Sequence, residues 1–153
     1  GQAIEAAAAN WIFLAGYMAV LSADFVGRFT GRILNIHPSI LPALKGLNTH
    51  QRALDAGVLH HGASVHIVTA ALDDGPIILQ AGLEISKDET AQTLAERVLR
   101  LEHQLLPFVL ASLVTGDLKL QNAVPHWANH AEILAAVKVE TRDFLENHVI
   151  WPN

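Results

Sequence analysis

The sequence predicts an α/β fold with a partial sheet of parallel central strands plus mixed-direction strands, flanked by helices. Two short runs rich in apolar residues, Trp11–Ala15 and Arg32–Ile36, enclose a short segment that favours a helix. Strand, helix and strand at this spacing are typical of a βαβ unit whose parallel strands are buried on both faces. The stretch ASVHIVTA alternates, which indicates a further strand. Apolar residues from Leu94 to Phe108 recur at three- and four-residue steps, which indicates a long amphipathic helix.

Length and composition predict one domain over residues 1–153. The chain has 153 residues, of which 51% are hydrophobic and 16% are charged, which is enough apolar material for a core. The formal net charge is −5 and there is no basic cluster, so we expect no nucleic-acid partner. The apolar run Trp11–Leu21 is too short to span a bilayer, which requires roughly 20 residues. The basic opening of a signal peptide is missing, and the lack of cysteine fits a reducing compartment. We therefore expect a cytoplasmic protein without a membrane partner.

Local signals define the elements of the first half of the chain. The alanine-rich stretch Ala3–Asn10 favours the last turns of a helix. Ser22 or Asp24 can cap a short helix over Asp24–Phe29. The segment THQRALDAG favours another helix, for which Gly57 is the predicted stop.

The second half of the chain predicts a second strand and a long helix. The turn sequence LDDGP leads into a strand over Pro76–Ser86, in which Gly82 indicates a bulge. Asp88 or Thr90 caps the long helix, and Pro107 should kink or split it. The remaining predictions are the end of that helix at Gly116, a short strand at Leu118–Leu120, a loop over residues 122–130, and one helical pattern over residues 131–147.

The residues that carry chemistry lie at the end of the second predicted strand. Asn35 and His37 are two residues apart, so they point to the same side of an extended segment. The carboxyl ends of parallel strands are where open α/β sheets bind ligands. An amide there can donate to a developing oxyanion, an imidazole can move a proton, and the carboxylate of Asp73 can orient that imidazole. From spacing alone, a capping amide, a structural histidine and an ordinary Asx turn remain open alternatives.

Other chemistries find less support in the sequence. His60 and His61 are adjacent, so their side chains diverge on most backbones, and no matched carboxylate accompanies them or His66. We therefore predict no metal site. No GxxxxGK[ST] or GxGxxG phosphate loop occurs. Ser39 lacks a GxSxG context, which disfavours a serine nucleophile.

The segments NIHPSILP, HGASVHIVTAALDDGPIILQ and RVLRLEH together resemble the phosphoribosylglycinamide formyltransferase family, from about residue 11 to residue 120. The resemblance implies a Rossmann-like formyltransferase fold, with residues 122–153 as an unassigned C-terminal extension. It implies transfer of a formyl group from 10-formyltetrahydrofolate, the co-substrate, to the amino group of glycinamide ribonucleotide in purine biosynthesis. No metal is implied.

The same resemblance implies a role for each site residue. The substrate amine would attack the formyl carbon directly, Asn35 would donate to the oxygen of the tetrahedral intermediate, and His37 and Asp73 would share or relay the proton. The other implied contacts are Met18, Leu21, Ala70, Ala71 and Leu72 for the folate, Glu102 for the ribose of the nucleotide, and Ser64 and His66 for the wall of the cleft.

Three positions depart from the family pattern, and so does the front of the chain. Ala19 stands where many relatives carry an arginine that meets the glutamate tail of folate, Leu99 where a polar residue joins the acidic one at the ribose, and Asn48 where a histidine lies near the site. The family's phosphate-gripping front, roughly 70 residues of a doubly wound sheet, has no counterpart, so we expect weak nucleotide binding by this chain alone. The sheet edge this would expose could be covered by a homo-oligomer or an added strand.

Two other functions stay open at this point. The first is hydrolysis of 10-formyltetrahydrofolate by a related deformylase, although a second histidine more often follows the catalytic one in that family, and Pro38 here favours the transferase. The second is a non-catalytic folate-binding remnant. Methionyl-tRNA formyltransferase shares the chemistry, but it carries a basic RNA-binding domain of which this sequence shows no sign.

Overall fold

A computed structural model describes residues 2–17 and 19–152. Strands β1 to β4 and β7 form one five-stranded sheet in the order β1-β2-β3-β4-β7, and β5 and β6 form a two-stranded ribbon. The predicted α/β fold is therefore confirmed. The elements in chain order are α1 (Gln2–Ala6), β1 (Ile12–Leu14), α2 (Ala23–Arg28), β2 (Ile33–His37), α3 (Thr49–Asp55), β3 (His60–Ile67), β4 (Ile77–Glu84), α4 (Ala91–Thr115), β5 (Leu118–Gln121), β6 (Val124–Trp127), α5 (His130–Ala136), α6 (Val139–His148) and β7 (Val149–Ile150).

The first βαβ unit has the predicted direction. Strands β1 and β2 pair in parallel, with Ile12 opposite Ile33, and α2 connects them. Ser22 caps α2 by accepting a hydrogen bond from the backbone N–H of Phe25. The pairs β2–β3, β3–β4 and β4–β7 are antiparallel, which gives the sheet its mixed character.

The main core lies between the sheet and α4. The stripe predicted from the sequence is buried, and α4 contacts both β3 and β4. By length and composition alone α4 could cross a membrane, but this packing makes it the core helix of the domain. A smaller cluster around Val26, Phe29 and Ile33 joins α2 to the first two strands.

The hairpin of β3 and β4 differs from its prediction in three ways. Strand β3 ends at Ile67 rather than Ala70. Strand β3 begins at His60 rather than Ala63, because residues 60–62 pair with residues 82–84 of β4. The irregularity lies between Val65 and His66, not at Gly82, which pairs regularly with Gly62. There is no room for a side chain at Gly62, since a Cβ there would lie 1.9 Å from the carbonyl oxygen of Ala81. The close approach of the two backbones thus explains Gly62, whereas a Cβ at Gly82 would meet its nearest neighbour, the side chain of Ile40, at 3.4 Å.

In the C-terminal third, one of the two alternatives for Pro107 is excluded and two other predictions are wrong. Pro107 does not split α4, because the residues around it, including Leu105 and Phe108, are held by packing in the core. The predicted loop contains β6, joined to β5 by Asn122 and Ala123, both in left-handed conformation as a type I′ hairpin requires. The single helical pattern is divided between α5 and α6, since the backbone is extended at residues 137 and 138.

The C-terminal segment covers one edge of the sheet. Strand β7 pairs with β4 through Gln80 and Ala81, and the indole N–H of Trp127 donates to the carbonyl oxygen of Ile78 at 3.1 Å. At the opposite end of the described sheet, the half-buried strand β1 is paired with β2 on one side.

Candidate active site

Strand β2 presents an amide and an imidazole side by side. Leu34 and Ile36 point into the core, so Asn35 and His37 project from the opposite side of the strand. His37 is the last residue of the strand, and Asn35 lies opposite Leu14 of the parallel neighbour β1. The two polar side chains therefore lie at the carboxyl end of parallel strands, as the sequence predicted.

The turn after β3 brings Asp73 to this pair. The Asp73 side chain is only 10% exposed, and its Oδ2 lies 3.4 Å from Nδ1 of His37. The backbone N–H of Gly46 donates to the same oxygen at 2.9 Å. Gly75 permits the turn, because a Cβ there would lie 1.7 Å from the carbonyl oxygen of Ile67. The backbone of Asp73 itself has a φ of +45°, which aspartate tolerates better than most residues.

Both ring nitrogens of His37 face hydrogen-bond acceptors. Nδ1 faces Asp73, and Nε2 lies 3.0 Å from the carbonyl oxygen of Leu44. The loop that supplies this carbonyl is itself anchored, since Lys45 forms an ion pair with Asp74 and Arg52 donates to the carbonyl oxygen of Lys45 at 2.6 Å. A ring between two acceptors has a fixed orientation and donates to at least one of them.

His66 links the amide to the carboxylate. Its Nε2 lies 3.2 Å from Nδ2 of Asn35 and 3.7 Å from Oδ1 of Asp73. Burial lowers the pKa of His66, and the nearby Ile67 carbonyl and Asp73 only partly offset that effect. The structure thus brings Asn35, His37 and Asp73 together, with His66, which the resemblance implied only for the wall of the cleft, as a fourth member.

Ser64 supports the loop that follows His37. It is fully buried, donates to the carbonyl oxygen of Ser39 at 2.7 Å, and accepts from the backbone N–H of Leu41 at 3.0 Å. The side chain of Gln80 donates to the same hydroxyl at 2.6 Å. These hydrogen bonds hold the loop against β3 and β4. Because the hydroxyl is buried and engaged in them, Ser64 does not line an open cleft.

The residues implied to contact folate lie at two places. Leu21 borders an apolar cavity of about 410 Å³ with Tyr17 and Phe25, and it packs against the same small cluster as Val68, which precedes the loop Ala70–Leu72. Ala70, Ala71 and Leu72 are exposed, and Leu72 borders Gly46. Met18 lies outside the described residues.

Glu102 is a half-buried carboxylate on α4. Burial raises the pKa of Glu102 to about 7 and is the one cause of that shift among the described residues. No cation therefore stabilises its charge within that part of the chain.

A second histidine pair lies behind the site. Nδ1 of His50 and Nε2 of His61 are 3.1 Å apart, and burial together with His50 lowers the pKa of His61 to about 4. His60 is exposed while His61 is buried, so the adjacent side chains diverge as predicted. No spacing motif identifies this pair, because α3 and β3 bring it together. Within residues 2–17 and 19–152, no three histidine, aspartate or glutamate residues are grouped to hold a metal ion.

Comparison with known proteins establishes the family. The model of the formyl transferase family matches residues 1–110. The chain belongs to the formyl transferase family. The phosphoribosylglycinamide formyltransferase of Haemophilus influenzae is 42% identical over 122 residues, which are 80% of this chain and 58% of that protein. The crystal structure of phosphoribosylglycinamide formyltransferase from Anaplasma phagocytophilum matches with a TM-score of 0.79 at 35% identity, covering 84% of this chain and 64% of that one.

These similarities confirm the predicted formyltransferase fold and the family resemblance. This formyl transferase chain spans 58% of the length of the Haemophilus relative. A formyltetrahydrofolate deformylase from Pseudomonas syringae is also similar in structure, with a TM-score of 0.77 at 25% identity over 84% of this chain and 43% of that one. The formyl transferase fold is thus shared by proteins named for transfer and for hydrolysis.

Proposed function

We propose that the protein transfers a formyl group from 10-formyltetrahydrofolate to the amino group of glycinamide ribonucleotide in the cytoplasm, without a metal. The observation that carries the proposal is the meeting of an amide, an imidazole and a carboxylate at the end of β2 in a member of the formyl transferase family. The relatives with this name support the choice of acceptor.

The cluster suits direct attack of an amine on the formyl carbon. As the new C–N bond forms, the formyl oxygen becomes an oxyanion, to which the amide of Asn35 donates. His37 keeps Nδ1 on Asp73, and its Nε2 would exchange the Leu44 carbonyl for the substrate to donate to the same oxygen or move a proton. The bond between the formyl carbon and N10 of the folate then breaks, and the proton lost by the attacking amine reaches N10 through Asp73. Atoms and charges balance without a covalent enzyme intermediate.

The substrate contacts follow from the surroundings of the cluster. Glu102 holds a carboxylate whose desolvation is not offset by a cation in the described residues, and the hydroxyl groups of a ribose would donate to it. Leu21 packs on the same apolar cluster as Val68, and Leu21 together with the Ala70–Leu72 loop that follows Val68 would form walls for the pterin ring.

An acceptor-dependence assay tests the proposal. The native full-length protein and the 153-residue chain are each incubated with 10-formyltetrahydrofolate, with and without glycinamide ribonucleotide, and products are identified by mass spectrometry. We expect formylated nucleotide and tetrahydrofolate only when the acceptor is present, and less turnover by the chain alone. Folate binding by calorimetry with no turnover in the full-length protein would support a non-catalytic domain instead.

Hydrolysis of the same folate is the second candidate function, and the similarity to the Pseudomonas deformylase favours it. In that case water would replace the amine, and formate would be released. Equal rates of formate release with and without the nucleotide would replace the transferase proposal by this one.

A further inference from the structure

Asn35 and His66 form a cross-strand pair. They lie directly opposite each other in the antiparallel ladder of β2 and β3, although they are 31 residues apart in the chain. Opposite side chains in such a ladder are close enough to interact directly. The register of β3 against β4 shifts between Val65 and His66, and such irregularities often re-aim a side chain next to an active site.

The surroundings of His66 define which ring nitrogen carries the proton. Nδ1 lies 3.1 Å from the carbonyl oxygen of Ile67, which can only accept a hydrogen bond, so Nδ1 carries the hydrogen. The His66 side chain is 3% exposed, and burial lowers the pKa of His66, which favours the neutral form. In the neutral ring with Nδ1 protonated, Nε2 is an acceptor.

The amide of Asn35 is therefore held in one orientation. Its Nδ2 lies 3.2 Å from Nε2 of His66, so the –NH₂ group uses one hydrogen on the histidine and keeps the other. Without that acceptor the amide could rotate by half a turn and present its carbonyl oxygen in place of the –NH₂ group. A carbonyl oxygen would repel a developing oxyanion rather than stabilise it.

We infer that His66 is a positioning residue that accepts one N–H of Asn35 and so keeps the other N–H available to the oxyanion. The inference deepens the proposed formyl transfer and rests on it. His66 and His37 thereby have different tasks around one carboxylate. His37 is placed between two acceptors, Asp73 and the Leu44 carbonyl. His66 is itself the acceptor, through Nε2. Oδ1 of Asp73 lies 3.7 Å from this nitrogen, while Oδ2 of Asp73 is held by Gly46 and His37.

Steady-state kinetics of variants in the full-length native protein test the role. His66→Phe removes the acceptor and should lower kcat about 10²-fold with little change in KM, comparable to the loss of one oxyanion donor. His66→Gln, which can accept through its side-chain oxygen, should recover a large part of that loss. His60→Phe is the matched control, since His60 is an exposed histidine on the same strand. The double variant Asn35→Ala/His66→Phe should be no slower than Asn35→Ala alone, because His66 acts through Asn35.

Spectroscopy of the folded protein tests the pairing without turnover. Long-range ¹H–¹⁵N spectra with ¹⁵N-labelled histidine should show His66 neutral with the proton on Nδ1 at neutral pH. A proton on Nε2 would overturn the inference, because Nε2 could not then accept from Asn35. It would be overturned equally by additive losses in the double variant, or by an unchanged kcat in His66→Phe. If the wild-type protein formed no formylated nucleotide, the proposed function would fail. The tautomer, together with the change in the Asn35 side-chain amide signals in His66→Phe, would still decide on the pairing.

Discussion

The Glu102→Gln substitution tests how much the ionised, half-buried carboxylate of Glu102 lowers the free energy of unfolding. Burial raises the pKa of Glu102 from its usual 4.5 to about 7. The folded state therefore holds this proton more tightly than the unfolded state does. The resulting stability is fully present below pH 4.5 and is lost as the pH rises through 7. Glutamine keeps the shape of the protonated side chain and cannot ionise, so the variant should retain this stability at high pH.

The magnitude follows from the pKa difference. From 4.5 to about 7, at about 1.4 kcal/mol for each pKa unit, ionisation of Glu102 removes about 3 kcal/mol from the free energy of unfolding. The side chain is only half-buried, and solvent screening reduces the effect to about 2 kcal/mol. Because a domain of this size is typically stable by about 5–15 kcal/mol, such a change is readily measured.

Urea unfolding at about pH 5 and about pH 9 measures this difference. Wild type should lose about 2 kcal/mol more than Glu102→Gln between the two conditions. Glu96→Gln, on an exposed position of the same helix, is the control and should behave as wild type. If Glu102→Gln and wild type lost the same free energy, the carboxylate would not be destabilised by burial, and its proposed readiness for ribose hydroxyls would lose its basis.

The other predictions concern the catalytic cluster, the turn that positions it and the histidine pair behind it. Asn35→Ala should lower kcat about 10²–10³-fold with an unchanged circular dichroism spectrum; a loss under tenfold would exclude Asn35 as the main oxyanion donor. Gly75→Ala should lower the free energy of unfolding by at least about 2 kcal/mol, because the new Cβ would meet the Ile67 carbonyl oxygen at 1.7 Å; a melting temperature within a degree of wild type would contradict this. For His61 the folded-state pKa is depressed from 6.5 to about 4, so the unfolded state takes up its proton first and up to about 3 kcal/mol of stability should be lost as the pH falls from 6.5 to 4. Denaturant titrations across that pH range should show the free energy of unfolding falling more steeply with decreasing pH for wild type than for His61→Gln. Equal pH dependence in the two proteins would rule out the buried neutral state.

Short-range patterns were sufficient for the elements that pack on the core. The apolar stripe of α4 and the first βαβ unit follow from periodicity and propensity, because burial selects the same residues that the pattern marks. The placement of Asn35 and His37 at the carboxyl end of β2 followed in the same way, since alternation along a strand is a local property. Local patterns were less reliable at Pro107 and over residues 122–147, where packing and a left-handed hairpin turn outweighed the sequence signals.

By itself, the sequence determined the fold class, the family and the strand that carries the amide and the imidazole. Only the tertiary structure decided that Asp73 reaches His37, that His66 accepts from Asn35, and that the Leu44 carbonyl occupies the other side of the His37 ring. The physical reason is that these contacts join residues from different strands and loops. Their distances depend on strand register, on the irregularity beside His66 and on the close backbone approach at Gly75, none of which is encoded in the spacing of the residues that meet.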